Sequence, residues 1–176
     1  MWAQYLTIQE VNNLESDRFI KIFGNIVEHC LAAGIRILKH RPFKCIDDIV
    51  KAIDNYLDSL KDEEKIQILQ LYPDSVSKLA GFSNSMLEFN THQKIIDNSQ
   101  RSSLRFEDKK RLKQLDKKYK EKHGFPFIIC GKEGEDIEKL SAEIEARLMN
   151  DTQQEIEIAL KEVKKICKLR IYEIVK

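Results

Sequence analysis

One arginine occupies a position where the apolar pattern of its segment requires a core residue. Between residues 156 and 174 the apolar side chains recur at alternating steps of four and three, and the same steps reach Arg170. A guanidinium stays charged at ordinary pH and is costly to bury alone, so this position needs an acidic partner or a bound anion such as a carboxylate. The residues alone leave a salt bridge and an anion site as open alternatives.

A second polar pair interrupts an apolar helix face in the middle of the chain. Gln93 shares that face with Met86, Phe89 and Ile96, and His92 lies one step around the same predicted helix. Imidazole is the natural acid or base near neutral pH. The pair therefore predicts either a proton-transfer site or a histidine with a purely structural role.

The charge of the chain is balanced overall but uneven locally. Thirty Lys and Arg face 29 Asp and Glu, whereas residues 101–123 carry ten basic and four acidic side chains. Such a segment attracts nucleic acid in some proteins, but no series of aromatic residues interleaves with it to stack bases. Runs of charge on amphipathic helices are usually solvated faces. We therefore do not expect nucleic acid as a partner.

Several other kinds of site are excluded by the residues that they would need. The sequence has no nucleophile elbow, no glycine-rich phosphate loop and no dinucleotide-binding fingerprint. No apolar run is long enough to span a bilayer, and the first residues lack the pattern of a signal peptide, so we expect an intracellular protein with no membrane partner. Neither a disulfide framework nor a metal centre is expected, because no Cys-x-x-Cys pair or zinc-ligand spacing links the four cysteines, which are Cys30, Cys45, Cys130 and Cys167.

Helices are the elements that must position these residues, because the apolar spacing is helical almost throughout the chain. In the first half the sequence predicts a helix that follows an N-cap at Ser16 and carries the apolar residues from Phe19 to Val27, one from Leu31 to about His40, one over the stripe from Ile46 to Leu60, and one from Asp62 to Tyr72. Pro73 ends the last of these, since proline disfavours helical geometry in the residue before it.

The second half of the chain adds further helices and one extended run. It predicts a helix capped by Asn84 or Ser85, a long one ended by Gly124, one carrying Ile137 to Leu148, and a last one opened by a Thr152-x-x-Glu155 capping box. The run from Phe125 to Gly131 has no second strand to pair with and is interpreted as a buried extended connection. We expect an all-α fold, a single compact, multi-helix, bundle-like domain over residues 1–176.

Five segments together resemble a known family over nearly the whole chain. They are Arg41-Pro42-Phe43, Tyr72-Pro73-Asp74, Gly124 to Cys130, Glu162 to Ile166, and Leu169-Arg170. In this order and spacing the sequence resembles the 2-oxo-4-hydroxy-4-carboxy-5-ureidoimidazoline (OHCU) decarboxylases of urate degradation. The resemblance implies an all-helical homodimer that uses no metal or organic cofactor. It also implies decarboxylation of a small ureidoimidazoline to (S)-allantoin.

The resemblance places two substitutions at catalytic positions. Family members have a histidine before the Pro-Asp pair, where this chain has Tyr72. They also have a Glu-Gln pair on the following helix, which an ungapped comparison matches to His92 and Gln93. A shorter loop would instead match Glu88 to the glutamate and leave Phe89 in place of the glutamine. Both alignments remain open, and the ungapped one is preferred because it retains Gln93.

The remaining site residues that the resemblance implies bind the substrate. Arg170 would hold a carboxylate, Phe125 and Phe127 would supply apolar walls, and the other expected pocket residues are Pro73, Phe89, Gln93, Ile128, Ile129, Cys130 and Gly131. Two hypotheses follow from the substitutions. In one, the protein is an enzyme in which His92 donates the proton and Tyr72 orients the substrate; in the other, it is a pseudoenzyme that retains ligand or partner binding.

The last residues of the sequence bear on its location in the cell. Relatives can be peroxisomal, but Glu173-Ile174-Val175-Lys176 does not match a Ser-Lys-Leu-like peroxisomal address. We therefore expect the protein in the cytoplasm.

Overall fold

The computed structural model describes residues 5–74, 76, 106–130 and 137–176. Phe89, His92, Gln93, Gly131 and the helix predicted after Asn84 lie outside this part of the chain. The described residues form eight α-helices, which are α1 (Ile8–Asn13), α2 (Ser16–Phe23), α3 (Leu31–Leu38), α4 (Ile46–Asp58), α5 (Asp62–Leu71), α6 (Phe106–His123), α7 (Ile137–Leu148) and α8 (Thr152–Ile174).

The prediction of an all-α fold is confirmed. Within the described ranges no strand is formed, and the one β-like contact is a parallel bridge between Leu6 and Val175. By its internal contacts the chain divides into a first unit, Met1–Tyr72 with Ile156–Lys176, and a second unit, Pro73–Glu155. The expectation of one domain over residues 1–176 stays a prediction. No described helix is both long and apolar enough to cross a membrane.

The first unit differs from its prediction near the start of the chain. Helix α1 was not predicted; a capping box begins it, in which Thr7 and Glu10 satisfy each other's backbone N–H groups. Ser16 is the first residue of α2 rather than its N-cap. Helix α2 ends at Phe23, so the prediction that it carries Ile26 and Val27 is wrong. A Cβ atom on Gly34 would lie 2.9 Å from the Gly24 Cα, so the close approach of α3 to this point requires glycine.

The second unit contains the helix pair α6 and α7 and an extended segment, residues 125–130. Helix α6 ends as predicted, because Gly124 adopts a left-handed φ of 80° and its N–H donates to the Lys120 carbonyl at 2.9 Å. The following segment is extended without belonging to a strand, and Phe125, Phe127 and Ile128 are at most 1% exposed. The interpretation as a buried extended connection is confirmed for these residues.

The predicted capping box of α8 is wrong by one residue. The cap is Asp151, whose carboxylate accepts from the Gln154 N–H at 2.8 Å, while the Gln154 side chain accepts from the Asp151 N–H at 3.2 Å. Glu155 is consequently free of the capping role. It turns inward, is fully buried, and forms part of a polar cluster in the second unit.

Candidate active site

Tyr72 lies at the end of α5 with its side chain in the core of the first unit. Pro73 follows it and is exposed, and Tyr72 itself is 5% exposed. The hydroxyl accepts a hydrogen bond from the Glu28 N–H at 3.4 Å and lies 3.9 Å from the Cys167 sulfur. Burial raises the pKa of Tyr72, and the neighbouring Cys167 adds to the effect. The phenol therefore stays neutral over the whole physiological range.

Arg170 is anchored beside Tyr72 by three acceptors. Its Nη1 donates to the carbonyl oxygens of Asn25 and Ile26 at 3.0 and 3.2 Å, and its Nη2 donates to Glu28 Oε2 at 2.5 Å. The two carbonyls are available because they follow the end of α2, outside a helical ladder. Of the two alternatives that the sequence left open, the structure shows an acidic partner, Glu28.

The Arg170–Glu28 pair is only partly withdrawn from solvent. The Arg170 side chain is 30% exposed and that of Glu28 is 13% exposed. Burial alone disfavours the charged guanidinium, but the hydrogen bond and charge of Glu28 outweigh it and raise the pKa of Arg170. The guanidinium is thus a permanent cation with a fixed direction and an open edge, which is suited to a carboxylate.

Glu28 is a site residue that the sequence reasoning missed. It lies in the connection between α2 and α3, where no helical periodicity marks which side chain faces inward. The connection turns sharply at His29, which has a φ of 47° and whose N–H donates to Asn25 Oδ1 at 2.9 Å. The neighbours of Glu28, Ile26 and Val27, are buried, and this became evident only in the folded chain.

Cys167 completes the buried side of this group. Its thiol donates to the Ile26 carbonyl at 3.2 Å and is fully buried, and burial raises the pKa of the thiol to about 12. The thiol is therefore not a nucleophile near neutral pH. Of the four cysteines Cys167 alone is buried, whereas Cys30 and Cys130 are half-buried and Cys45 is exposed.

The extended segment predicted to line the pocket is held within the second unit. Phe125 and Phe127 meet the ring of Tyr119 edge-on, with centroids 6.0 and 5.2 Å apart. Both phenylalanines lie in the core of this unit, whereas Ile129 and Cys130 are half-buried. The Ile128 carbonyl accepts from Arg147 Nη1 at 2.7 Å. The partly exposed end of the segment is therefore the end that can meet a ligand.

Some of the basic residues of α6 are paired with acidic neighbours in their own unit. Lys120 pairs with Asp116 and Asp74, and Arg111 donates to Glu145 at 2.7 Å. These pairs reduce the charge excess that the sequence showed and support its interpretation as a solvated face.

The structure thus brings Tyr72 and Arg170 together through Glu28, and it places the segment from Phe125 to Cys130 in the second unit. Four predicted site residues, Phe89, His92, Gln93 and Gly131, lie outside the described residues. Their roles remain predictions.

Comparison with known proteins decides the family. A sequence profile described as OHCU decarboxylase matches residues 12–172. The chain belongs to the OHCU decarboxylase family. The 2-oxo-4-hydroxy-4-carboxy-5-ureidoimidazoline decarboxylase of Amia calva is 31% identical over 170 residues, which are 97% of this chain and 95% of that protein. The decarboxylase of the same name from Xenopus laevis is 32% identical over 171 residues, with coverage of 96% and 94%.

A solved structure described as (S)-allantoin synthase shows that the family fold is present. It superposes with a TM-score of 0.77 at 19% sequence identity and covers 97% of this chain. This chain spans about half of that one, 54% of its length. At this identity the similarity establishes the all-helical OHCU decarboxylase fold.

Proposed function

We propose that the protein decarboxylates 2-oxo-4-hydroxy-4-carboxy-5-ureidoimidazoline to (S)-allantoin in urate degradation. The observation that carries the proposal is the orientation of Arg170 by Glu28 and two backbone carbonyls at the edge of a buried group. Membership of the family over residues 12–172 and relatives named for this reaction support it.

Arg170 is assigned the role of binding the substrate carboxylate. Decarboxylation requires that the leaving carboxylate be held while it loses solvation, and a guanidinium binds it with two parallel, charge-assisted hydrogen bonds. Among the described residues none accepts from Arg170 Nε, and the side chain is 30% exposed, so the outward edge of the guanidinium is available.

Tyr72 is assigned a positioning role. Its neutral hydroxyl accepts from the backbone N–H of Glu28, and the Glu28 carboxylate in turn fixes Arg170. A phenol with a raised pKa is a poor acid and a poor base near neutrality. Tyr72 therefore orients the substrate through Arg170 rather than by exchanging a proton with it.

The proton-transfer step is assigned to His92, with Gln93 as a hydrogen-bonding partner of the substrate. An imidazole can deliver one proton to one face of the carbanion left by decarboxylation. A His92→Ala variant is expected to lose about 100-fold or more in kcat, the lower end of the usual contribution of a general acid. Full activity in that variant would remove His92 from this role and return Glu88 as the candidate.

A circular dichroism time course on freshly generated substrate tests the activity. The wild type should form (S)-allantoin faster than the uncatalysed background, and Arg170→Ala should remove the acceleration. Lys164→Ala is the matched control, because Lys164 lies on the same helix and pairs with Asp58 at 2.6 Å rather than with Glu28. A Lys164→Ala variant as inactive as Arg170→Ala would show that the loss came from damage to α8.

A pseudoenzyme is the second candidate, and the placement of Tyr72 favours it. Where family members have histidine, this chain has a buried phenol that is bonded internally. A wild-type trace indistinguishable from background, together with retained binding of (S)-allantoin in calorimetry, would select this function.

The proposal extends to assembly and location. A homodimer is proposed because the family resemblance implies one, and light scattering on the purified protein measures its mass directly.

A cytoplasmic location and the absence of a cofactor also belong to the proposal. Imaging of a fluorescent fusion tests the first, and activity after exhaustive dialysis against a chelator tests the second.

A further inference from the structure

A buried charge cluster in the second unit has no place in the roles assigned so far. Glu155 is fully buried, and Arg147 is 3% exposed. The Arg147 Nε and the Tyr119 hydroxyl each donate to Glu155 Oε1 at 2.5 Å, and Asn150 donates to Glu155 Oε2 at 2.9 Å. Every oxygen of the carboxylate thus has a partner.

Burying such a pair is not the simplest way to stabilise a small unit. Removing two charges from water costs several kcal/mol, and well-packed apolar residues often serve stability equally well. The Arg147 guanidinium also lies 4.4 Å from the centre of the Phe127 ring, a position in which an aliphatic side chain would pack. The pair is therefore expected to do something that apolar packing cannot do.

A hydrogen bond from the cluster to the extended segment shows what this function is. Arg147 Nη1 donates to the Ile128 carbonyl at 2.7 Å. Within the described ranges no strand pairs with residues 125–130, so no ladder of backbone hydrogen bonds fixes the rotation of these peptide planes. The guanidinium supplies that missing restraint.

Fixing this carbonyl also fixes the N–H group on the other side of the same peptide. In a trans peptide the C=O and N–H vectors point in opposite directions. The N–H of Ile129 therefore points away from Arg147, and among the described residues it has no acceptor. Ile129 is half-buried, so this donor lies at the part of the segment that a ligand can reach.

We propose that Arg147, held by Glu155, is a positioning residue that sets the 128–129 peptide plane and so presents the Ile129 N–H to the substrate. The proposal rests on the proposed function, since it assigns the ligand of that N–H group to the ureidoimidazoline. Arg147 itself touches no reacting atom.

The Arg147→Lys variant tests the proposal with the least change. An ammonium keeps the charge opposite Glu155 but lacks the planar fork that reaches Glu155 and the Ile128 carbonyl together. The KM should rise about tenfold, the effect of losing about one hydrogen bond to the substrate, while kcat stays within about twofold. An unchanged KM in the folded variant would overturn the proposal.

Leu140→Ala is the matched control for loss of stability. Leu140 is fully buried on α7, the helix that carries Arg147, and its side chain has no polar group to hold a carbonyl. This variant should lower the unfolding temperature at least as much as Arg147→Lys and leave KM unchanged. An equal rise in KM in both variants would mean that Arg147 acts only through stability.

A second readout is independent of turnover. Backbone ¹⁵N relaxation should give order parameters near 0.85 for Ile128 and Ile129 in the ligand-free wild type, and clearly lower values in Arg147→Lys but not in Leu140→Ala. Titration with (S)-allantoin should shift the Ile129 amide resonance in the wild type and shift it less in Arg147→Lys. Equal order parameters and shifts in all three proteins would overturn the proposal.

These readouts separate this inference from the proposed function. The wild type could lack decarboxylase activity while its Ile129 amide resonance still shifts with (S)-allantoin. If Arg147→Lys then loses that shift, the result contradicts the proposed activity and supports the positioning role of Arg147. Should Arg147→Lys fail to fold, Glu155→Asp takes its place, because it keeps the charge and withdraws the carboxylate by one methylene. The same KM shift is then expected, and an unchanged KM counts against the proposal.

Discussion

In each of the two units an arginine withdrawn from solvent pairs with a glutamate, and these two pairs differ in how many donors they leave unused. In the second unit all three guanidinium nitrogens of Arg147 are engaged, with Glu155, Ile128 and Tyr119. In the first unit the Nη atoms of Arg170 are engaged, and the guanidinium keeps an exposed edge. A fully satisfied pair can act only by holding other groups in place, whereas a partly satisfied one can also bind a ligand directly.

The difference in exposure sets the expected energetic roles. The side chains of Arg147 and Glu155 are 4% and 0% exposed, against 30% and 13% for Arg170 and Glu28. A charge left without its partner is far more costly where water cannot reach it. The same chemical change in the two pairs should therefore have unequal effects on stability.

The largest effect is expected from Glu155→Gln. This substitution keeps the shape of the side chain but leaves the Arg147 charge buried without a counter-ion. We expect a loss of about 3–5 kcal/mol in the free energy of unfolding, the usual cost of breaking a buried ion pair. Urea denaturation measures it, and a loss below about 1 kcal/mol would show that water reaches Arg147.

The corresponding Glu28→Gln change should cost about 1.5–3 kcal/mol, the range of a single hydrogen bond to a charged group. Arg170 keeps its two backbone carbonyls and its solvent-exposed edge after the substitution. The same urea series measures this value. A loss equal to that of Glu155→Gln would remove the distinction between an open and a closed pair.

Acidification should destabilise the second unit through His123. Burial lowers the pKa of this imidazole from 6.5, and the nearby Glu155 opposes the shift without cancelling it. Because the unfolded chain binds the proton more readily, stability is complete above pH 6.5 and is lost as the pH falls from there to the lowered pKa. The slope cannot exceed about 1.4 kcal/mol per pH unit for one group.

Comparison of the wild type with His123→Gln isolates this contribution. Asp116, whose pKa burial raises, titrates in the opposite sense and is common to both proteins. As the pH falls below 6.5, the wild type should therefore lose unfolding free energy relative to His123→Gln, because only the wild type carries the imidazole that becomes charged. A difference that stays constant between pH 7.5 and 5.5 would contradict the lowered pKa.

The smallest effect is expected from Arg111→Met. Arg111 donates to Glu145 at 2.7 Å, but both side chains are well exposed and the pair is screened by solvent and salt. The unfolding midpoint and the KM should match those of the wild type. A KM shift as large as that of Arg147→Lys would mean that the whole α6–α7 pair, rather than Arg147, positions the segment.

The sequence predicted Arg170 because a long helix has a regular apolar stripe in which a charge is conspicuous. The same reasoning applies to Arg147, which lies one step of three after Ile144. The predicted apolar stripe instead follows the step of four from Ile144 to Leu148. In the structure Arg147 is buried and Leu148 only half-buried, so the periodicity of α7 supported the charged residue. Because the apolar Leu148 is the next residue, the apolar pattern alone did not single out Arg147.

Other features required the folded chain. Glu28 lies in a connection whose direction depends on the turn at His29, and no periodic pattern fixes such a turn. Helix α2 ends at Phe23, next to the close approach of Gly24 and Gly34, which are ten positions apart in sequence. Apart from α1, the described helices and the extended segment were local enough to predict, whereas the partners of the charged residues were not.

The parallel bridge between Leu6 and Val175 has a consequence for the order in which the protein is made. Leu6 donates to the Ile174 carbonyl at 2.8 Å and accepts from the Lys176 N–H at 2.9 Å, so the first unit is closed by residues from both sides of the second. Ribosomes synthesise a chain from its N-terminus at about 5–20 residues per second. Residues 73–155 are therefore all synthesised before Cys167 and Arg170. The hydrogen bonds of Leu6, Glu28 and Tyr72 to residues of α8 and the C-terminus can form only several seconds after these three residues have been made.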